Sequence, residues 1–304
     1  MRTTRILTKS ERKRRKEKIV SFVVMLTVCI LWVLPLIYMF GTSFKSDLDL
    51  QTHPETLFPS SLSEWTMKHY TGFIVREGQI DKMPIWMLNS IWSTLVTVVL
   101  TVGIDLLGAY AVVFLNFKGR QKFTKFLMLF MTVPAIIGTA PSFAIYAMLK
   151  RSLALSGVAS YIYIYMWIIL PSVTGIFNFL LMRSFLDSIP QDIIDSAKSD
   201  GAGHAKIFKR IVMPMAKSTI LLIVLFAFTG SWNNLMFPQM LLASENRYWH
   251  TVTVALTSYT GSSAWGATGV KMATSVFAMI PIIIIFCITQ DKMIDGMATT
   301  GIKG

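Results

Sequence analysis

Charge is what this 304-residue sequence has least of. Only 15% of its residues are Asp, Glu, Lys or Arg, against roughly 25% in soluble domains, while 53% are hydrophobic. The shortage falls on the acids, 16 Asp and Glu facing 29 Lys and Arg for a formal charge of +13. A soluble enzyme and a disordered chain both fit badly. The two cysteines, Cys29 and Cys287, sit inside apolar runs, which excludes a disulfide framework and a zinc site. The patterns G-x-x-x-x-G-K-[ST], H-E-x-x-H and G-x-S-x-G are also absent, leaving no obvious means of holding ATP or attacking a substrate. Gly201-Ala-Gly203 begins like a dinucleotide fingerprint, but Lys206 stands where its third glycine belongs. His53, His69, His204 and His250 are scattered and read as solvated or interfacial rather than as metal ligands.

What is abundant is long apolar runs. A spanning helix needs about 20 mostly apolar residues, because backbone groups cannot go unpaired in hydrocarbon. Six stretches qualify: Ile19–Phe40, Ile91–Leu115, Phe126–Leu149, Val158–Met182, Ser218–Ala243 and Met272–Gln290. The expected fold is therefore all-α, a polytopic membrane protein with about six transmembrane helices. The fifth span is polar from Thr229 to Asn234. Pro134, Pro141, Pro171 and Pro281 are expected to kink their helices. With the N-terminus inside, 21 Lys and Arg fall on inner segments and 8 on outer ones, so both termini are expected in the cytoplasm. Within the basic N-terminal segment 1–18 the Arg12–Lys18 cluster is expected to serve as a topology anchor on anionic lipid, and the apolar span beside it argues against nucleic acid as a partner. The 22-residue run Ile19–Phe40 exceeds a signal-peptide core, and no good cleavage site follows it, so the first helix is expected to stay attached.

The inner connection 183–217 carries the most information. Ser188-Ile-Pro190-Gln191 reads as a capping box with Pro190 in the first turn, Asp192 suits the positive helix end, and Gly201 suits a left-handed stop. A cytosolic helix of about 12 residues, roughly 18 Å long, is predicted, with Ile193, Ile194 and Ala197 on one face. That helix has two roles open to it: lying against its own bundle, or docking into a groove on a partner.

Asp195-Ser196-Ala197, three residues, Gly201, nine residues, then Ile211-x-Met213-Pro214 resembles the signature loop of permease subunits in ABC importers. The family pattern is Glu-Ala-Ala, three residues, Gly, nine residues, Ile-x-Leu-Pro. Here Asp195, Ser196 and Met213 replace Glu, Ala and Leu, and the Asp keeps the charge on a shorter reach. Leu88-Asn89-Ser90, Ala109-Tyr110-Ala111, Phe117-Lys-Gly-Arg120, Ser231-Trp232-Asn233 and the terminal Gly301-Ile-Lys-Gly304 are similar to the carbohydrate branch related to the maltose permease, and to its smaller subunit.

The resemblance implies a complex with a second homologous permease, two ATPase subunits and an extracellular sugar-binding protein. It implies no cofactor in this chain, ATP and Mg being held by the ATPase subunits, and no catalytic or metal site. It also implies that Ile193, Ile194, Asp195, Ser196, Ala197, Gly201, Ile211 and Pro214 form the ATPase-coupling loop, and that the Gly301–Gly304 tail touches the ATPases. The outer loop Ser244–Lys271 resembles the one that meets the binding protein. About 22 Å above Lys217, Ser231, Trp232, Asn233 and Asn234 suit a sugar in a substrate pathway, or else a helix–helix hydrogen-bond cluster or a helix break. Asp105, the sole formal charge in the six spans, leaves a structural or cavity-facing role open beside a proton-coupled secondary transporter. An importer of a non-sugar solute is the nearer alternative.

Overall fold

The computed structural model of the chain describes residues 9–71, 83–173, 175–258 and 265–300. All named elements among them are helical, and one isolated antiparallel bridge joins Lys45 to Trp65. The chain divides into two compact units. One draws on residues 1–79 and 259–277, the other on 80–258 and 278–304. The Gly301–Gly304 tail and the middle of the 244–271 loop lie outside the described residues.

In the first unit α1 runs from Lys9 to Thr42 with Pro35 inside it. Nearly all its large apolar side chains from Ile19 to Phe40 are exposed in this chain, around the whole helix, so lipid or another subunit must cover them. Beyond it residues 43–71 fold into a small cap holding α2 (Asp47–Thr52) and α3 (Lys68–Thr71). Ser46 caps α2 by accepting from the Asp49 N–H (3.1 Å). Lys45 and Asp49 are both buried. Lys45 Nζ donates to the His53 carbonyl (2.7 Å), and Asp49 accepts from the Ser60 hydroxyl (2.5 Å) and N–H (3.2 Å). Burial pushes the Asp49 carboxyl up, but the Ser60 bonds and nearby Lys45 outweigh it and hold the group below its ordinary value. Tyr70 packs edge-on against Phe277 at 5.7 Å.

The second unit is built around α4 (Met83–Phe114), which packs against α7 (Gly157–Val173), α8 (Ile176–Asp187) and α12 (Lys217–Trp232). Three helices are long and apolar enough to cross a bilayer: Arg14–Thr42, Met83–Phe114 and Thr268–Gln290, the last lying within α15 (Trp265–Thr300). Three further helix pairs pass the same length and composition test together but are bent by more than 40°, so the described residues offer three to six crossings against the six expected.

Three of the expected spans are interrupted, at or near places where a proline kink or a polar stretch was expected. Phe126–Leu149 is broken between α5 (Arg120–Met131) and α6 (Thr139–Leu153) by a bend of 88°. Pro134 lacks an N–H, and its ring drives Val133 away from helical geometry, so the break falls there. Ser218–Ala243 stops at Trp232 and resumes only in α13 (Met236–Leu242), because the polar Asn233–Asn234 step ends the helix. The third bent pair joins residues 204–215 to α12 at 74°, and the pair α7–α8 bends by 43°.

Along α4 the buried polar residues Asn89, Ser93, Thr97, Thr101 and Asp105 recur every fourth position, forming one stripe. Ser93 and Thr97 return their hydroxyl protons to the carbonyls of Asn89 (2.6 Å) and Ser93 (2.9 Å). Small hydroxyl side chains satisfied in this way let neighbouring helices approach α4 closely.

Candidate functional site

The connection after α8 is shaped by three local stops. Ser188 does not cap the next helix as expected. Its hydroxyl and N–H both turn back to the Phe185 carbonyl (2.6 and 3.0 Å) to close α8, so the capping box is not formed. Pro190 takes the N-cap position instead, and α9 runs Gln191–Ser199, nine residues rather than twelve. At its far end Gly201 adopts φ +75°, as expected of a left-handed stop. Its N–H meets the Lys198 carbonyl (2.9 Å), and the Ala202 N–H reaches that of Ala197 (3.0 Å). This pair of bonds is the Schellman closure, which glycine permits at no steric cost.

Where α9 faces is decided by burial. Ile194 is 1% exposed, inside a cluster with Leu186, Ile189, Ile207 and Val212, and half-buried Ala197 and Ile211 pack against the same cluster. The expectation that Ile193, Ile194 and Ala197 share one docking face is therefore corrected. Ile194 and Ala197 seat the helix on its own bundle, and Ile193, 39% exposed, faces outward. Asp195, Ser196, Gly201 and Pro214 are exposed as well. Asp195 accepts from Lys198 Nζ (3.1 Å) and Gln191 Nε2 (3.2 Å), and these bonds hold its carboxyl below the ordinary value. Past α10 (His204–Ile207) the chain widens into a π turn at Phe208–Val212 and enters α11 (Met213–Met215). Pro214 offers no N–H to the turn before it, and the wider register takes up the mismatch. The loop is hooked to α4 by Tyr110, whose hydroxyl lies 3.0 Å from His204 Nδ1.

At the other end of α4, a second connection is fixed by hydrogen bonds. Asn89 Nδ2 donates to the Tyr248 (2.8 Å) and His250 (3.0 Å) carbonyls, and Asn89 Oδ1 accepts from Tyr161 (2.8 Å). Trp86 Nε1 donates to the Arg247 carbonyl (2.6 Å), Ser90 Oγ accepts from the Val252 N–H (2.8 Å), and Tyr165 donates to the Trp249 carbonyl (2.8 Å). These bonds place α14 (Val252–Ser258), and beside them Lys150 pairs with Glu245.

The polar group on α12 is divided. Trp232 is 2% exposed, stacks on Phe228 at 5.7 Å and donates to the Ala278 carbonyl (3.0 Å). It joins helices and is not free to stack on a sugar, which corrects the pathway assignment for that residue. Half-buried Ser231 lies 3.4 Å from the Thr94 hydroxyl, the Asn234 carbonyl accepts from Thr253 (3.1 Å), and of the four only Asn233 is exposed. Asp105 is 3% exposed, with Oδ2 lacking a partner among the described residues. No group of three metal-binding side chains occurs among those residues either.

Sequence reasoning missed two elements of this arrangement, Tyr110–His204 and the bonds of Asn89. For the polar stripe the signal was available, as a four-residue repeat within an apolar run.

Residues 106–297 match the family model described as binding-protein-dependent transport system inner membrane component. The chain is 30% identical over 274 residues to the diacetylchitobiose uptake system permease protein DasC of Streptomyces coelicolor, covering 90% of this chain and 92% of that protein. It is 26% identical over 299 residues to the arabinooligosaccharides transport system permease protein AraQ of Halalkalibacterium halodurans, covering 96% and 100%. Among solved structures, a chain from a bacterial ABC transporter involved in the import of the acidic polysaccharide alginate superposes with a TM-score of 0.73 at 21% identity, covering 95% of this chain and 99% of that one, which establishes a shared fold.

Proposed function

The chain belongs to the family of binding-protein-dependent transport system inner membrane components, and from that premise we propose that it is one permease of an ABC importer that moves a sugar or oligosaccharide into the cytoplasm. Relatives named for diacetylchitobiose and arabinooligosaccharide uptake support a saccharide cargo. A second homologous permease completes the pathway. Two ATPase subunits hold ATP and Mg and perform the hydrolysis, and an extracellular sugar-binding protein delivers the cargo. The N-terminus and the α9 loop lie on the cytoplasmic side, as the basic bias requires.

The observation that carries this reading is α9 itself. Its inner face is locked into the bundle through Ile194, while its outer face offers Ile193 beside an Asp195–Lys198 pair. A rod fixed at its base and free on its outer face passes a push from a partner to α4, α8 and α12 as rigid-body motion.

Co-purification tests it. Wild-type chain is expected to bring down an ATPase, and Ile193→Asp is expected to lose it with no loss of chain from the membrane. Uptake by the isolated chain, driven by a proton gradient without ATP, would instead favour a secondary transporter using Asp105.

A further inference from the structure

We infer that Tyr110 is the positioning residue that ties α4 to the coupling loop, so that movement received by α9 reaches α4 instead of being lost at a bent joint. The inference rests on the importer reading and adds the route by which the push travels.

Between α9 and α12 the chain forms a second rod, residues 204–215, made of α10, the π turn and α11. At its far end this rod meets α12 at 74° through the fully buried Ala216. At its near end it is joined to α9 by Gly201-Ala202-Gly203, of which Gly201 holds a φ of +75°. A rod jointed at both ends pivots unless side chains pin it. Fully buried Ile207 and Val212 pin its middle to the core that also holds Ile194. Such apolar contacts are non-directional, so they hold the rod down without fixing its tilt.

Toward α4 the rod is not packed along its length. An apolar cleft of about 420 Å³ lies between Val98, Val102 and Leu106 on α4 and Phe208 and Met213 on the rod. The two elements meet at Tyr110. Its ring lies edge-on to Phe208 at 5.2 Å and to His204 at 6.2 Å. Its hydroxyl sits 3.0 Å from His204 Nδ1 and 3.3 Å from the His204 carbonyl oxygen. In the tautomer with its proton on Nδ1, the imidazole donates to the Tyr110 oxygen while the Tyr110 hydroxyl donates to the carbonyl, so both bonds form at once. His204 stands 11 residues from the last residue of the rod, about 17 Å, and a tilt of about 10° at the joint would move it by about 3 Å. That displacement breaks both bonds. A push on the rod therefore either carries α4 with it or must first part Tyr110 from His204.

The test uses the full-length chain in the complex it forms with its ATPase, purified from its own membranes. Exposed Cys29 and Cys287 are changed to Ala, and spin labels are placed on Ile104→Cys of α4 and Lys206→Cys of the rod. The distance between the labels is read without nucleotide and with ATP, Mg and vanadate. In the otherwise unaltered chain it is expected to be the same in both states. Tyr110→Phe keeps the ring and removes the hydroxyl, so the ATPase is expected to co-purify as before while the distance changes by about 3 Å or more on adding nucleotide. His204→Ala is expected to match Tyr110→Phe. His204→Asn is expected to match the unaltered chain, because an amide presents a donor or an acceptor where Nδ1 lies. A nucleotide-dependent distance in the unaltered chain, or a fixed one in Tyr110→Phe and His204→Ala, would overturn the inference. So would equal shifts in His204→Asn and His204→Ala, or loss of the ATPase from Tyr110→Phe, which would make Tyr110 a part of the docking loop's fold and not a link to α4. Recovery of no ATPase with the unaltered chain would overturn the importer reading, and the inference with it.

Discussion

The two connections bound to opposite ends of α4 are held by opposite kinds of force. At one end α9 is seated by packing: Ile194, Ile207 and Val212 fill a pocket beside Leu186, and the outer face of α9 bonds only to itself. At the other end residues 247–252 are held by directional bonds from Trp86, Asn89, Ser90 and Tyr165 to backbone groups. Packing fixes how deep a rod sits but tolerates exchange of what touches its outer face. Hydrogen bonds to backbone fix a loop's conformation atom by atom. The first arrangement suits a part that must transmit motion to and from another protein, and the second a part whose shape must be ready before anything binds.

The sharpest way to break the contrast is Ile194→Asp. Loss of the buried side chain together with burial of an unpaired charge costs about 4 kcal/mol or more, so α9 leaves its socket rather than accommodate it. Hydrogen exchange should rise across residues 189–212, and ATPase co-purification should vanish, with residues 247–252 still protected. The next largest effect belongs to Asn89→Leu, which removes the donor that bridges the Tyr248 and His250 carbonyls at a cost of about 1–3 kcal/mol. There the pattern reverses: proteolysis accelerates between Asn246 and His250, and ATPase association is unaffected. If either variant loosens both ends together, the two attachments are not independent.

Gly201→Ala gives a smaller and more local effect. A Cβ at this position meets nothing within 4 Å, so the sole cost is the left-handed backbone, about 1–2 kcal/mol. The last turn of α9 should fray, weakening ATPase binding by about tenfold while leaving the chain folded. Gly201→Val should fare worse, because a β-branched side chain tolerates the left-handed conformation least and not because it meets a neighbour. An unchanged affinity in both variants would remove the Schellman closure from the coupling argument.

Much of the α9 end was readable from the residues because its signals are local. Gly201 stops the helix where expected, since the need for a left-handed residue is written within one turn. Orientation was not readable. Ile193 and Ile194 differ by one step, about 100° around the helix, and either could have faced the bundle until Ile207 and Val212 were in place. Ser188 misled because two helix ends compete for it, and the end of α8 wins its hydroxyl. The Asn89 end was opaque for a different reason: its carbonyl partners lie 159 and 161 residues away in the chain, and no local pattern encodes such a bond. Trp232 was expected on a pathway, yet its N–H is taken by the Ala278 carbonyl, another partner distant in sequence.

The smallest effect concerns the charge on the outer face of α9. Asp195 is held below its ordinary 3.8 chiefly by the bond from Lys198, with Gln191 second. A carboxyl depressed in this way stabilises the helix fully above that ordinary value, and the contribution disappears as pH falls through the lower, folded value. Lys198→Ala removes the main cause, so the Asp195 midpoint should climb toward 3.8 while Gln191 keeps it from reaching it. The pair is fully in water and screened, so thermal stability at pH 7 should be indistinguishable from wild type. A difference titration of the labelled carboxyl against Asp195→Asn reads the midpoint directly. An unmoved midpoint would show that Lys198 does not engage Asp195 in solution. In that case Gln191 remains as the partner of the carboxylate, and no cation of this chain competes with the basic group that the proposed ATPase would bring to it.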